Sequence, residues 1–319
     1  MKRFSLLPET DALALMVDIT GREWMKRSDP QIAPGAFKLY DAYAHGDLSR
    51  RDFLEGLRTY AIGGLTVSAL EGALLPDYAN AQQTETGDPR LIEADLLYAS
   101  PEGAGEMSGY LVRPAGETAP RGGVLVIHEN RGLNPHIRDV VRRAALAGYV
   151  AFAPDALHPL GGYPGTDDEG RTLQRQRDRG EMLEDFIAAA QVLRDHPACT
   201  GRVAAVGFCY GGAVANELAV RLDWLAGAVP YYGGWPDPAD AQAVRAPLQI
   251  HLAELDDRVN AGWPDWRDAL DEAGAPYELF MYEGAQHGFH NDTTARFDPE
   301  QAALAWSRTL AFFDRVLSA

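Results

Sequence analysis

Residues 207–211 read Gly207-Phe208-Cys209-Tyr210-Gly211 and join an apolar run to an amphipathic one. A strand that turns sharply into a helix pushes the residue at the apex out above the sheet. The flanking glycines leave room where side chains would collide. A cysteine at that apex stands at a helix N-terminus, where the dipole favours an anion. Its pKa starts near about 8.5, so modest help ionises it and makes it a nucleophile. The plainer alternative is an ordinary buried thiol. Against that, an acid and then a histidine follow along the chain in the order nucleophilic catalysis uses. The stretch "AELDDRVN" offers Asp256 or Asp257, and "GAQHGFHND" offers His287 or His290. His287 is preferred, because it comes first after its strand and Gly288 leaves room around the ring. In such a relay the carboxylate fixes the imidazole tautomer and the imidazole moves the proton.

The same chemistry needs two backbone N–H groups for an oxyanion. One belongs to Tyr210, the residue after the nucleophile. The other is expected at Asn130, in the loop after "VLVIHE". No metal is expected. His128-Glu129 resembles the start of a zinc helix, but position 132 is glycine and the stretch ends a strand. His287 and His290 have no accompanying ligand cluster in the sequence. No cofactor is expected either. The loop "GGYPGTDDEG" lacks the Lys-Ser/Thr of a phosphate cradle and reads as an active-site rim. Trp263 and Trp266 could roof the site or pack in the core.

These residues need a scaffold. "ADLLYAS" and "GYLVRP" read as a strand pair, and "GGVLVIHE" as a strand buried on both faces. "NPHIRDVVRRAALAGY" has helical spacing, "YVAFAPD" is the next strand, and residues 171–195 are expected to form one helix. "RVAAVGF", "LAGAVPYYG", "PLQIHLAE" and "YELFMYEG" continue the strands, with "PEQAALAWSRTLAFFDRVL" as the last helix. Strands alternating with helices imply an α/β fold with a doubly wound, mostly parallel sheet. Ligands in such sheets bind beyond the carboxyl ends of the strands, where Glu129, Cys209, Asp256 and His287 all fall.

Residues 1–89 read as an N-terminal helical extension and linker, and residues 90–319 as the catalytic domain. Ser49 and Asp52 fit a capping box, Pro76 ends the helical run, and "NAQQTETGDP" reads as a polar linker. "SRRDFL" also resembles a twin-arginine export motif followed by an A-x-A pattern at Ala79-Asn80-Ala81. Glu71 interrupts its apolar core. A folded arm and a cytoplasmic location are therefore expected, with export to the periplasm as the alternative. The arm's apolar face would pack on the catalytic domain or on a second copy of the chain.

The bulk properties agree with a soluble enzyme. The chain has 319 residues, 46% of them hydrophobic, enough to bury a sizeable core. Its net charge of −17 argues against a nucleic-acid partner. No apolar stretch reaches membrane-spanning length. A strand between Cys199 and Cys209 would hold the two thiols too far apart for a disulfide.

Taken together, "HENRGLNPHIRDVVRRAALAGYVAFAPD", "VGFCYGG", "AELDDRV" and "AQHGFHND" resemble the dienelactone hydrolases over roughly residues 95–317. The resemblance implies an α/β-hydrolase fold with a Cys209-Asp256-His287 triad, because Ala253-x-x-Asp256-x-x-Val259 matches the family spacing. It implies that Glu129 sits beside the thiol and modulates its ionisation. It implies a small ester or enol-lactone substrate opened through a thioester acyl-enzyme. The family holds a substrate carboxylate with arginines. Arg171, Arg175, Arg177 and Arg179 lie in the right stretch without one standing out, and Arg296 comes later after His287 than the family pattern has it. A general carboxylesterase or peptidase on the same fold is the alternative, and a non-catalytic binding protein the second.

Overall fold

A computed structural model of the chain describes residues 32–62, 65–116 and 118–318. Among these, eight strands form one sheet: β1 (Leu91–Ser100), β2 (Gly105–Pro114), β3 (Arg121–Ile127), β4 (Val150–Pro154), β5 (Cys199–Phe208), β6 (Gly227–Tyr231), β7 (Leu248–Ala253) and β8 (Tyr277–Tyr282). Their spatial order is β1-β2-β4-β3-β5-β6-β7-β8. The pairs β1–β2 and β2–β4 are antiparallel, and the remaining pairs are parallel. The fold is that of an α/β-hydrolase.

Alternate residues of the central strands face opposite sides. On β5, Val203 and Ala205 join one apolar core, while Ala204 and Val206 join the other. The first core is completed by α7 (Arg179–Asp195), α8 (Tyr210–Arg221) and α10 (Trp263–Ala273), and the second by α5 (Pro135–Leu146) and α11 (Pro299–Leu317). Helices on both faces explain why β3 and β5 read as unbroken apolar runs. A fully buried Phe186 or Phe313 stabilises the fold by roughly 1.5–3 kcal/mol relative to leaving it in water. Trp266 is completely buried, and Trp263 packs on Trp235 and Tyr277, so both belong to the core rather than to a roof.

One expectation needs correction. Residues 171–195 are two helices, α6 (Asp167–Gln174) and α7, because Asp178 turns back to cap α7 through the N–H groups of Gly180 and Glu181. The polar linker is also pinned. Thr84 donates its N–H to Asp139 at 2.8 Å, and Arg142 reaches its hydroxyl at 2.8 Å.

The N-terminal helices α1 (Pro34–His45), α2 (Arg50–Leu57), α3 (Val67–Leu74) and α4 (Tyr78–Ala81) form an arm. Ser49 caps α2 by accepting the Asp52 N–H at 3.1 Å. Phe53 of the arginine-containing stretch stacks on Tyr43 at 4.6 Å, inside a small core with Tyr40, Leu57, Leu70 and Leu74. Gly46 ends α1 with φ +80, and a Cβ there would lie 1.1 Å from the Arg175 guanidinium. That glycine lets Arg175 reach the helix end and donate to the His45 carbonyl at 2.9 Å. Asn130 donates to the Ala44 carbonyl at 2.8 Å, and Arg296 pairs with Asp41 at 2.9 Å. The first turn of α6, which takes up the end of the stretch 161–170 expected to be loop, clamps the arm too. Asp167 takes the Tyr78 hydroxyl at 2.5 Å and Arg131 at 2.6 Å, and Asp168 takes the Tyr43 hydroxyl. The arm thus rests on the carboxyl ends of the strands. No helix among the described residues is long and apolar enough to cross a membrane.

Candidate active site

The elbow follows from its glycines. Cys209 sits at φ 56, ψ −111, a conformation costly for a side-chain-bearing residue. A Cβ on Gly207 would lie 1.8 Å from the Gly211 carbonyl oxygen, and one on Gly211 would lie 2.3 Å from that of Ile127. The turn can close only with glycine at both places. The Cys209 N–H is held by the Tyr231 carbonyl at 3.0 Å. The Cys209 residue is about 9% exposed. α8 starts at Tyr210, so the Tyr210 N–H belongs to a first helical turn that has no intrahelical acceptor.

Register brings the other groups to the same place. Ile127 of β3 pairs with Gly207 of β5, so Glu129 and Cys209, each two residues on, leave neighbouring strand ends. Asp256 follows β7 and His287 follows β8, which are paired with each other. His287 Nδ1 lies 2.5 Å from Asp256 Oδ2, and both residues are buried. Asp256 also accepts the Val259 N–H at 3.2 Å, which fixes its rotamer. Asp257 points out, its side chain 92% exposed, beside Lys38. His290 is fully enclosed and stacks on Phe208 at 5.0 Å. Burial, followed by the Arg143 charge, holds its pKa far below the ordinary histidine value, so it is a neutral packing residue.

Glu129 is 2% exposed. It accepts from Asn291 at 2.9 Å and lies 3.8 Å from the Arg131 guanidinium. Asn130 uses its side chain to hold α1. Of the candidate arginines, Arg171 lies over the Tyr43 ring, Arg175 holds the end of α1, and Arg177 is tied to Asp185 at 2.7 Å. The cleft of about 210 Å³ beside His287 is lined instead by Arg258 and Arg296, with Phe37, Lys38 and Asp41 from the arm. Arg258, in α9 (Asp257–Asn260), stood unremarked inside the "AELDDRVN" stretch.

The group that sequence reasoning missed is His45. Its Nε2 lies 3.4 Å from Cys209 Sγ, and its Nδ1 lies 2.8 Å from the Asp41 carbonyl oxygen. That carbonyl can only accept, so Nδ1 carries a proton, and Nε2 faces the sulfur. One ring nitrogen from each of His45 and His287 lies with Sγ in a group whose members are all within 4.8 Å of one another. Among the described residues, Nε2 of His287 has no formed hydrogen bond, although its charge is coupled to the thiol. Burial opposes ionisation of Cys209, but His287 and then His45 outweigh it and pull the thiol down to about 5. Burial likewise opposes the imidazolium, yet Cys209 and Asp256 raise His287 to about 10. The pair therefore favours thiolate and imidazolium. Asp41 is lowered despite its burial, mainly by His287 and His45.

Comparison with known proteins finds the family model described as "Dienelactone hydrolase family" over residues 107–317, and a second, described as YqhI-like, over residues 23–59. A carboxymethylenebutenolidase of Pseudomonas sp. (strain P51) is 31% identical over 226 residues, 67% of this chain and 92% of that one. YghX of Escherichia coli (strain K12), described as a hydrolase fragment, is 54% identical over 114 residues, 36% of this chain and 97% of that one. A crystal structure from Klebsiella pneumoniae subsp. pneumoniae MGH 78578, described as a dienelactone hydrolase, superposes with a TM-score of 0.62 at 27% identity, covering 70% of this chain and 99% of that one.

Proposed function

The chain belongs to the dienelactone hydrolase family and is a carboxylic ester hydrolase, and from that premise we propose that it opens small esters or enol lactones with Cys209 as nucleophile. The observation that carries this reading is the strained elbow at Cys209 beside a His287 whose Nδ1 is held by Asp256 at 2.5 Å.

The thiolate attacks the carbonyl carbon, and the N–H groups of Tyr210 and Asn130 take the developing oxyanion. Collapse expels the alcohol or enol, which receives its proton from the His287 imidazolium, and leaves a thioester on Cys209. His287, now neutral and oriented by Asp256, draws a proton from water. The hydroxide attacks the thioester, and the acid leaves as the thiolate is restored. Thiolate is itself a good leaving group, so activated esters and enol lactones react ahead of amides.

Glu129 modulates the thiol from its buried place on the neighbouring strand end. Its bonds to Asn291 and Arg131 hold it there at rest. Arg258, its side chain 46% exposed, gives the cleft a guanidinium for a substrate carboxylate, while Arg296 behind it is held by Asp41 at 2.9 Å.

The test compares wild type with Cys209→Ala on small esters, thioesters and a dienelactone, with intact-mass detection of the acylated chain. Turnover and a trapped acyl adduct in wild type only are expected. Equal activity in the two proteins would remove Cys209 from the chemistry.

A further inference from the structure

The arm adds to the site something the hydrolytic cycle does not require, a second imidazole on the sulfur. The three facing atoms are the thiol sulfur of Cys209 and one ring nitrogen each from His45 and His287, all within 4.8 Å of one another. His45 Nε2 lies 3.4 Å from Sγ. A tetrahedral zinc ion, with Zn–S near 2.3 Å and Zn–N near 2.0–2.1 Å, places neighbouring ligand atoms roughly 3.4–3.6 Å apart. Small side-chain movements therefore separate the present arrangement from coordination.

The surroundings point the same way. Histidines that bind metal nearly always give their second N–H to a carbonyl or carboxylate, which fixes the ring and its tautomer. His45 Nδ1 has the Asp41 carbonyl at 2.8 Å, and His287 Nδ1 has the Asp256 carboxylate at 2.5 Å. Both rings are oriented to offer Nε2. His287 Nε2 is buried and has no formed hydrogen bond among the described residues. A cleft lined by Asp41 and His287 adjoins the group. One group competes. Arg258 lies 3.0 Å from His45 Nε2 and 3.3 Å from His287 Nδ1. Its side chain is 46% exposed, so it can turn to solvent, and the Asp41 carboxylate 3.8 Å from its Nε stays behind to offset a cation.

We propose that Cys209, His45 and His287 form a three-ligand site for a soft divalent cation such as Zn²⁺, with the arm supplying the third ligand. Two nitrogens and one sulfur select zinc or cobalt over magnesium or calcium. The sulfur is already a thiolate, so as the metal binds the His287 imidazolium gives up its Nε2 proton to solvent and frees that nitrogen to ligate. The sulfur's electron pair is then committed to the metal, so the occupied enzyme is held inactive until the cation is withdrawn. This last consequence rests on Cys209 being the nucleophile, whereas binding itself rests on geometry alone.

The full-length chain, stripped with a chelator, is titrated with Co²⁺ and watched for thiolate-to-cobalt charge-transfer absorption. Wild type should show the band, saturating at one equivalent and displaced by Zn²⁺. Cys209→Ser should lose it. His45→Ala and the bulkier His45→Gln should each weaken Co²⁺ binding at least tenfold while keeping the circular dichroism of wild type. A wild-type titration without the band, or equal affinity in wild type and both His45 variants, overturns the proposal. Zn²⁺ should also abolish ester turnover, and EDTA should restore it. A chain that shows the band but whose metal-free form hydrolyses no ester keeps the metal site and refutes the hydrolytic reading. A chain that hydrolyses esters without the band does the reverse.

Discussion

Nε2 of His45 lies 3.4 Å from Sγ of Cys209 across 164 positions of sequence. The contact joins the arm to the elbow and places a second imidazole on the sulfur. It also makes the N-terminal helices part of the site, not only a support for it.

Removing that imidazole should change the thiol. His287 and, next, His45 stabilise the thiolate, so His45→Ala raises the Cys209 pKa above its value of about 5. The pH dependence of iodoacetamide alkylation measures this. The midpoint should move upward, and an unmoved midpoint would mean the two groups are not coupled.

Asp256→Asn should leave His287 without its orienting charge. Loss of the corresponding carboxylate in a Ser-His-Asp triad lowers kcat roughly 10⁴-fold, and a fall of similar order is expected here. Because Asp256 and the Cys209 thiolate both raise His287, its imidazolium should also titrate at lower pH in the variant. NMR of the ring protons reads that shift. Asp257→Asn, at a side chain 92% exposed, should have little effect on either quantity.

Gly207→Ala should not yield a folded enzyme. The new Cβ would lie 1.8 Å from the Gly211 carbonyl oxygen, and neither backbone can retreat without unmaking the turn. Soluble yield and thermal melting are the measurements, and a variant with wild-type Tm would contradict the packing argument.

Asp292 is buried among Arg143 and His136. Burial opposes its charge, but Arg143 and His136 hold its pKa far below the ordinary carboxylate value. A carboxylate depressed in the native state stabilises the fold above its unfolded pKa of about 3.9 and loses that contribution as pH falls towards its native value. Asp292→Asn should cost about 3–5 kcal/mol at neutral pH. Its deficit should shrink as pH drops below about 4. Urea unfolding at a series of pH values tests both statements.

Deleting residues 1–89 should lower solubility and Tm, since it uncovers the strand ends and removes the Thr84 bonds to Asp139 and Arg142. An unchanged Tm would show that the arm contributes no stability.

Much of the scaffold is legible in one dimension because its signals are local. Continuous apolar runs mark strands covered on both faces, helical spacing marks the helices between them, and glycines around Cys209 mark a turn that tolerates no side chain at its edges. Chain order alone suggested Cys209, an aspartate and a histidine, since each follows its own strand. The break before α7 was missed because Asp178 serves as a cap inside an otherwise helical pattern.

What lay beyond the sequence depends on contacts between distant segments. The choice of Asp256 over Asp257 came by resemblance, and only the fold turns one inward to His287 and the other to solvent. His45 carried no signal of its own, since a histidine at the end of an amphipathic helix reads as surface. Gly46 lets α1 end under Arg175, and Asn130, Asp168 and Arg296 hold the arm over the strand ends. Local pattern specifies which elements form and what each one exposes. Which exposed groups meet is decided by docking free energy spread over many side chains, and no short window of sequence contains it.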